Sequence, residues 1–118
     1  MEDYTLGAIE SRFADIVWAH APLSTGELIR LCEQELGWKR TTTYTVLKKF
    51  SKRGIFDNQN GTVIVRITKE EFYARQSECY VEHSFHGSLP GFVAAFTSRR
   101  KLSAKEIEEL QQIIDQNK

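Results

Sequence analysis

Between Trp38 and Gly54 the chain carries Lys39, Arg40, Lys48, Lys49, Lys52 and Arg53, together with Thr41, Thr42 and Thr45, and no acidic residue. These residue types serve polyanion recognition. Ammonium and guanidinium groups neutralise phosphates, and hydroxyl side chains hydrogen-bond base edges. If Thr41 or Thr42 caps a helix, Val46, Leu47 and Phe50 fall on an apolar side, while Thr42, Thr45, Lys48, Lys49 and Lys52 are left to solvent or to a partner. Two readings of the stretch stand at this point: a DNA-recognition helix, or a core helix with a solvated cationic face.

The rest of the chain bounds those readings. Its 118 residues suffice for one domain, or for a small domain with a helical extension that needs a partner to bury its apolar side. A hydrophobic content of 41% beside 27% charged residues argues against global disorder. The formal net charge is zero, with nine Lys/Arg against eight Asp/Glu in residues 1–67 and seven against eight in residues 68–118. Attraction to a polyanion must therefore come from a local patch. Cys32 and Cys79 form no CxxC or CxC unit, which argues against a disulfide scaffold and against a thiolate metal site. The acidic N-terminus has no long apolar core and no apolar run reaches membrane-spanning length, so a cytoplasmic protein without membrane contact is expected.

In chain order, Leu6, Ile9, Phe13, Ile16 and Val17 predict an amphipathic first helix over residues 6–19. His20-Ala21-Pro22-Leu23 breaks it. Ser24 and Glu27 form a capping-box pattern for a second helix over about 25–36, with Leu28, Ile29, Cys32 and Leu36 inward and Gly37 as its stop. The basic helix follows at once and ends at Gly54. Ile55-Phe56-Asp57, the Asn60-Gly61 turn and residues 62–67 then read as a β-hairpin. Three helices followed by a hairpin is the order of a winged helix-turn-helix, which favours DNA recognition over the solvated face.

From Thr68 the pattern is helical again. A capping box at Thr68–Glu71 opens a long helix, residues 87–91 interrupt it, Phe92–Phe96 make a short apolar helical segment, and a capping box at Ser103–Glu106 opens a last helix. Phe72, Tyr80, Phe92, Phe96, Ile107, Leu110, Ile113 and Ile114 supply apolar faces too sparse for a second self-contained core, so residues 68–118 are expected to close against another copy of the chain. The expected division is a DNA-binding domain over 1–67 and a dimerisation domain over 68–118. The fold class is mainly α with a small β-hairpin.

The segment ending IVW at Trp18, the run RTTTYTVLKKFSKRGIF at 40–56, TKEEFYARQS at 68–77 and KLSAKEIEELQQII at 101–114 together resemble the penicillinase repressor family of bacterial transcriptional regulators. The resemblance covers nearly the whole chain. It implies a homodimeric repressor bound to a pseudo-palindromic double-stranded operator, with Lys39, Arg40, Thr41, Thr42, Thr45, Lys48, Lys49 and Lys52 facing DNA and Arg66 reaching a phosphate. Tyr44 either reads a base or stacks on the second helix. Relatives under a β-lactam sensor are cleaved by a sensor-linked protease at an Asn-Phe pair. The matching pair here is Ala95-Phe96, which keeps the phenylalanine but not the asparagine and reads equally as a core pair. Copper-responsive relatives end in CxC units, which this chain lacks.

Other constellations are weaker. Cys79, His83 and His86 are spaced i, i+4, i+7, but three ligands on one straight helix seldom converge on an ion, and surface or interface roles are the preferred reading. No nucleophile elbow, P-loop, HExxH or dinucleotide glycine pattern occurs, so neither an enzyme nor a cofactor is expected. A second functional reading is a dimeric winged-helix adaptor without specific DNA binding; such a protein has no need of a helix this rich in cations.

Overall fold

In the computed structural model, which describes residues 4–118, the order of elements is α1 (Ala8–His20), β1 (Leu23–Ser24), α2 (Thr25–Leu36), α3 (Arg40–Lys52), β2 (Phe56–Gln59), β3 (Thr62–Val65), α4 (Lys69–Phe85), α5 (Leu89–Arg99) and α6 (Ala104–Gln116). The fold is mainly α, with a winged helix-turn-helix followed by helices. Packing divides it into two units, Met1–Ser77 and Glu78–Lys118, so the division falls inside α4 and not at residue 67, where the hairpin period ends.

The first unit closes on aromatic side chains. Phe13 of α1 lies 5.2 Å from Phe50 of α3, 5.7 Å from Trp38 and 6.3 Å from Phe56 of β2, between ring centroids. Phe50 and Phe56 stack at 5.2 Å with their planes 17° apart. Ala14, Ile16, Val17, Leu28, Cys32, Leu47, Ile55 and Val63 complete this core. Trp18 extends it toward α4: its ring meets Phe56 and Phe72, and its indole N–H donates to the Ile67 carbonyl at 3.0 Å. α1 starts two residues later than its apolar pattern suggests, and Ile9 faces outward while Ala14 takes a core position.

Short local devices set the directions of the helices. Ser24 accepts from the Glu27 N–H at the start of α2, and Gly37, with φ +68°, turns the chain so that Trp38 stacks on Phe13. At the end of α3, Gly54 (φ +75°) donates to the Ser51 carbonyl and Ile55 donates to that of Phe50. This paired closure satisfies carbonyls that the helix leaves open and drops buried Ile55 beside the core. The sheet has three strands, not the two of a lone hairpin, in the order β1-β3-β2 and antiparallel throughout. β1 has two residues, below the length at which alternation is visible. By pairing Leu23 with Val63 and Ser24 with Thr62 it binds the hairpin to the start of α2.

In the second unit α4 ends at Phe85, and His86 and Gly87 take left-handed conformations at φ +52° and +81°. α5 is longer than the apolar run Phe92–Phe96: Ser88 caps it and Pro90 lies in its first turn, where a missing N–H costs nothing. A reciprocal capping box, Ser103 with Glu106, opens α6, and Arg100 donates to the Glu106 carboxylate at 2.8 Å. No residue of this unit is buried.

Phe72 is placed apart from the other apolar residues expected at a dimer interface. It is fully buried in the first unit, between Tyr4, Trp18 and Tyr73, because the first turns of α4 finish the N-terminal core.

Phe50→Ala is expected to destabilise the first unit by about 3–5 kcal/mol, since it removes the ring that joins α3 to both α1 and the sheet; chemical denaturation followed by tryptophan fluorescence measures it. A second expectation concerns Asp57 of β2, whose carboxyl is held below its ordinary range by hydrogen bonds from Arg66 and by that residue's charge. A lowered folded-state pKa gives stability that is present above the ordinary carboxylate pKa of about 3.9 and is lost as pH falls through the lowered value. The denaturation midpoints of wild type and Asp57→Asn should differ at neutral pH and converge in acid.

Candidate nucleic-acid interface

Lys39 is the N-cap of α3, so Arg40, Thr41 and Thr42 form its first turn and neither threonine is the cap. Lys39 makes no side-chain capping bond. The inward side consists of Thr43, Leu47 and Phe50, all buried, with Val46 half-buried against the core. Thr43 takes an inward position that the apolar pattern does not show. Its hydroxyl donates to the Lys39 carbonyl, and it faces Cys32, whose thiol pKa is raised chiefly by burial. A small β-branched residue fits there, facing α2, and its one polar group is satisfied locally.

The opposite side is exposed and carries Thr41, Thr42, Tyr44, Thr45, Lys48, Lys49 and Lys52, with Lys39 and Arg40 at its N-terminal end. Thr45 donates its hydroxyl hydrogen to the Thr41 carbonyl at 2.9 Å, leaving oxygen lone pairs and a methyl group facing out. Among the described residues, none of Lys39, Arg40, Lys48, Lys49 and Lys52 is in an ion pair. Lys49 and Lys52 lie in the last turn, where the helix dipole favours a cation. Arg53 differs from these: it donates to the Thr5 carbonyl at 3.2 Å and lies over the Phe50 ring.

Tyr44 lies at the edge of the exposed face, on the side toward α2. The residue is 37% exposed. The Thr25 side chain at the start of α2, and after it Arg40, draw the pKa of its hydroxyl below the usual tyrosine value. The Arg40 guanidinium lies 5.6 Å from the ring centroid. Helical periodicity within α3 says nothing about a contact made across to α2, so Thr25 reads in the sequence only as an opening residue of its own helix.

Arg66 stands apart from the α3 cations. It follows β3 at the root of the hairpin, where its backbone N–H bonds Ile55, and its guanidinium is held by Asp57 at 2.7 Å. The tip, Asn58-Gln59-Asn60-Gly61, is polar and uncharged. It is tied inward, with Gly61 bonding the Asn58 side chain through its N–H and the Thr25 N–H through its carbonyl. The positive face of this unit is therefore concentrated on α3.

The remaining candidates lie in the second unit. Ala95 and Phe96 are exposed residues inside α5, not a core pair, and Ser98 donates to the Ala95 carbonyl at 2.7 Å. Tyr80, Phe92 and Phe96 belong to one chain of ring contacts, and Ile107, Leu110, Ile113 and Ile114 are exposed on α6. Phe92, Val93, Phe96, Leu110 and Ile113 line an open groove of about 350 Å³ between α5 and α6. His86 lies past the end of α4, so the helical spacing that would align it with Cys79 and His83 is broken before it is reached. No helix among the described residues is long and apolar enough to cross a membrane.

Comparison with known proteins agrees with this architecture. The penicillinase repressor of Bacillus licheniformis is 27% identical over 107 residues, covering 87% of this chain and 84% of that relative. The methicillin resistance regulatory protein MecI of Staphylococcus aureus is 22% identical over 116 residues, covering 95% and 94%. The protein of the same name from Staphylococcus epidermidis has the same identity and coverage. A family model described as penicillinase repressor matches residues 6–116. With that match spanning both units, the chain belongs to the penicillinase repressor family.

Proposed function

We propose that this protein is a homodimeric, cytoplasmic transcriptional repressor that binds a pseudo-palindromic operator in double-stranded DNA through α3. The observation that carries the reading is the outward face of α3, where threonine hydroxyls and cations free of ion pairs stand together in a chain of zero net charge. Cations supply sequence-independent attraction by releasing condensed counterions, and Thr42 and Thr45 meet base edges. Arg66 adds little to this attraction while Asp57 holds it. Repression follows from occupancy of promoter DNA.

One α3 reads only a few base pairs, so useful specificity requires two. Support for pairing comes from the second unit, where Tyr80, Leu89, Val93, Phe96, Ile107, Leu110, Ile113 and Ile114 are all exposed. Apolar surface in that quantity is the mark of an interface, and the occupant that best suits both halves of a palindrome is a second copy.

A salt titration of binding to the DNA upstream of the protein's own gene tests the DNA reading. Log affinity should fall steeply with log salt, and Lys48→Ala should make the slope shallower by about 0.9 per protomer engaged. Weak, salt-insensitive binding would favour the adaptor. Sedimentation equilibrium tests the pairing: wild type should be dimeric at micromolar concentration, and Ile113→Glu should raise the dimer dissociation constant by about 30-fold or more by burying a charge. A wild-type chain that sediments only as monomer contradicts the proposal.

A further inference from the structure

Arg40 is the one cation of α3 whose position local structure disfavours. It is the first residue of the helix, where the backbone dipole repels positive charge, and the first turn has no acid to offset it. Its conformation is nevertheless restrained. The guanidinium lies 5.6 Å from the Tyr44 ring centroid, and the Thr25 side chain on α2 faces the Tyr44 hydroxyl and lowers its pKa. Thr25 is itself tied to the hairpin tip, its N–H donating to the Gly61 carbonyl at 3.0 Å. A relay of contacts therefore runs from the tip through α2 and Tyr44 to one exposed guanidinium.

Such restraint is unnecessary for phosphate neutralisation, which a mobile ammonium performs as a point charge. It is useful where a planar fork must meet two acceptors at fixed separation. An arginine has five N–H donors around the edge of its plane, and lying against a ring leaves that edge free. The first residues of a recognition helix are those that meet base edges, and the pair of acceptors matching an arginine fork in the major groove is N7 and O6 of guanine.

We propose that Arg40 reads a guanine in each half-site and that Tyr44, braced by Thr25, is the residue that positions it. The proposal deepens the repressor reading and rests on it. It removes Arg40 from the set of phosphate contacts and gives Tyr44 a role other than reading a base itself.

The test is selection of duplexes from a random-sequence pool by the full-length chain, with salt titrations on the selected duplex, for wild type, Arg40→Lys, Tyr44→Phe and Tyr44→Leu. Wild type should select a guanine at a fixed position in each half-site. Arg40→Lys keeps the charge and should keep the salt slope while preference for that guanine falls roughly 5- to 150-fold. Tyr44→Leu should weaken preference at the same position without changing charge, and Tyr44→Phe, which keeps the ring but loses the hydroxyl facing Thr25, should do so less. An Arg40→Lys preference identical to wild type overturns the proposal, as does a Tyr44→Leu loss spread evenly over all sequences; both leave the repressor reading standing. Absence of salt-dependent duplex binding by wild type removes both.

Discussion

Phe50 has to satisfy two surfaces at once. It lies against Phe13 of α1 on one side and is stacked on Phe56 of the sheet on the other, so one ring fixes both the roll of α3 and the position of the hairpin beside it. Each such aromatic pair adds about 0.5–1.5 kcal/mol beyond the area it buries. Directional contacts of this kind decide orientation more sharply than aliphatic packing does. The exposed threonines and lysines share a face because α3 cannot roll without parting Phe50 from both rings.

The same economy governs the connection between α2 and the hairpin. β1 is too short to form a useful strand alone, but two register pairs with β3 and the Thr25–Gly61 bond bring the start of α2, the hairpin tip and Tyr44 into one neighbourhood. The tip carries no charge, and the arginine at the root of the hairpin is held by Asp57. In this unit the hairpin acts as a strut for α3, with ionic attraction concentrated on the helix itself.

Much of this was legible beforehand because it is local. Helix caps at Ser24 and Ser103, the glycine stops at Gly37 and Gly54, the inward placement of Cys32 and the outward lysines of α3 all follow from spacing along one element. What spacing missed depends on partners distant in sequence. Phe72 resembles any apolar residue of a long helix until Trp18 is seen beside it, and β1 exists only because β3 passes alongside. Polarity is a weaker guide than contact: Thr43, which the apolar pattern leaves unassigned, fits a tight spot against α2 with its hydroxyl satisfied, while Ile9, expected inward, lies in the opening turn of α1 and faces solvent. The interruption expected over residues 87–91 falls at 86–88, because proline is compatible with a helix in its first turn, where Pro90 lies, a distinction that needs the position of the cap.

The placement of Ala95 and Phe96 inside α5 sets what any cleavage of the bond between them would require. Proteases take their substrates extended, and the bond between these residues is wound into a helix with the Ala95 carbonyl already engaged by Ser98. Cutting there must wait for α5 to open, so its rate follows the equilibrium population of the opened form when reclosing is fast. Because Phe96 is exposed and the unit around it buries nothing completely, that opening is opposed by little within one chain.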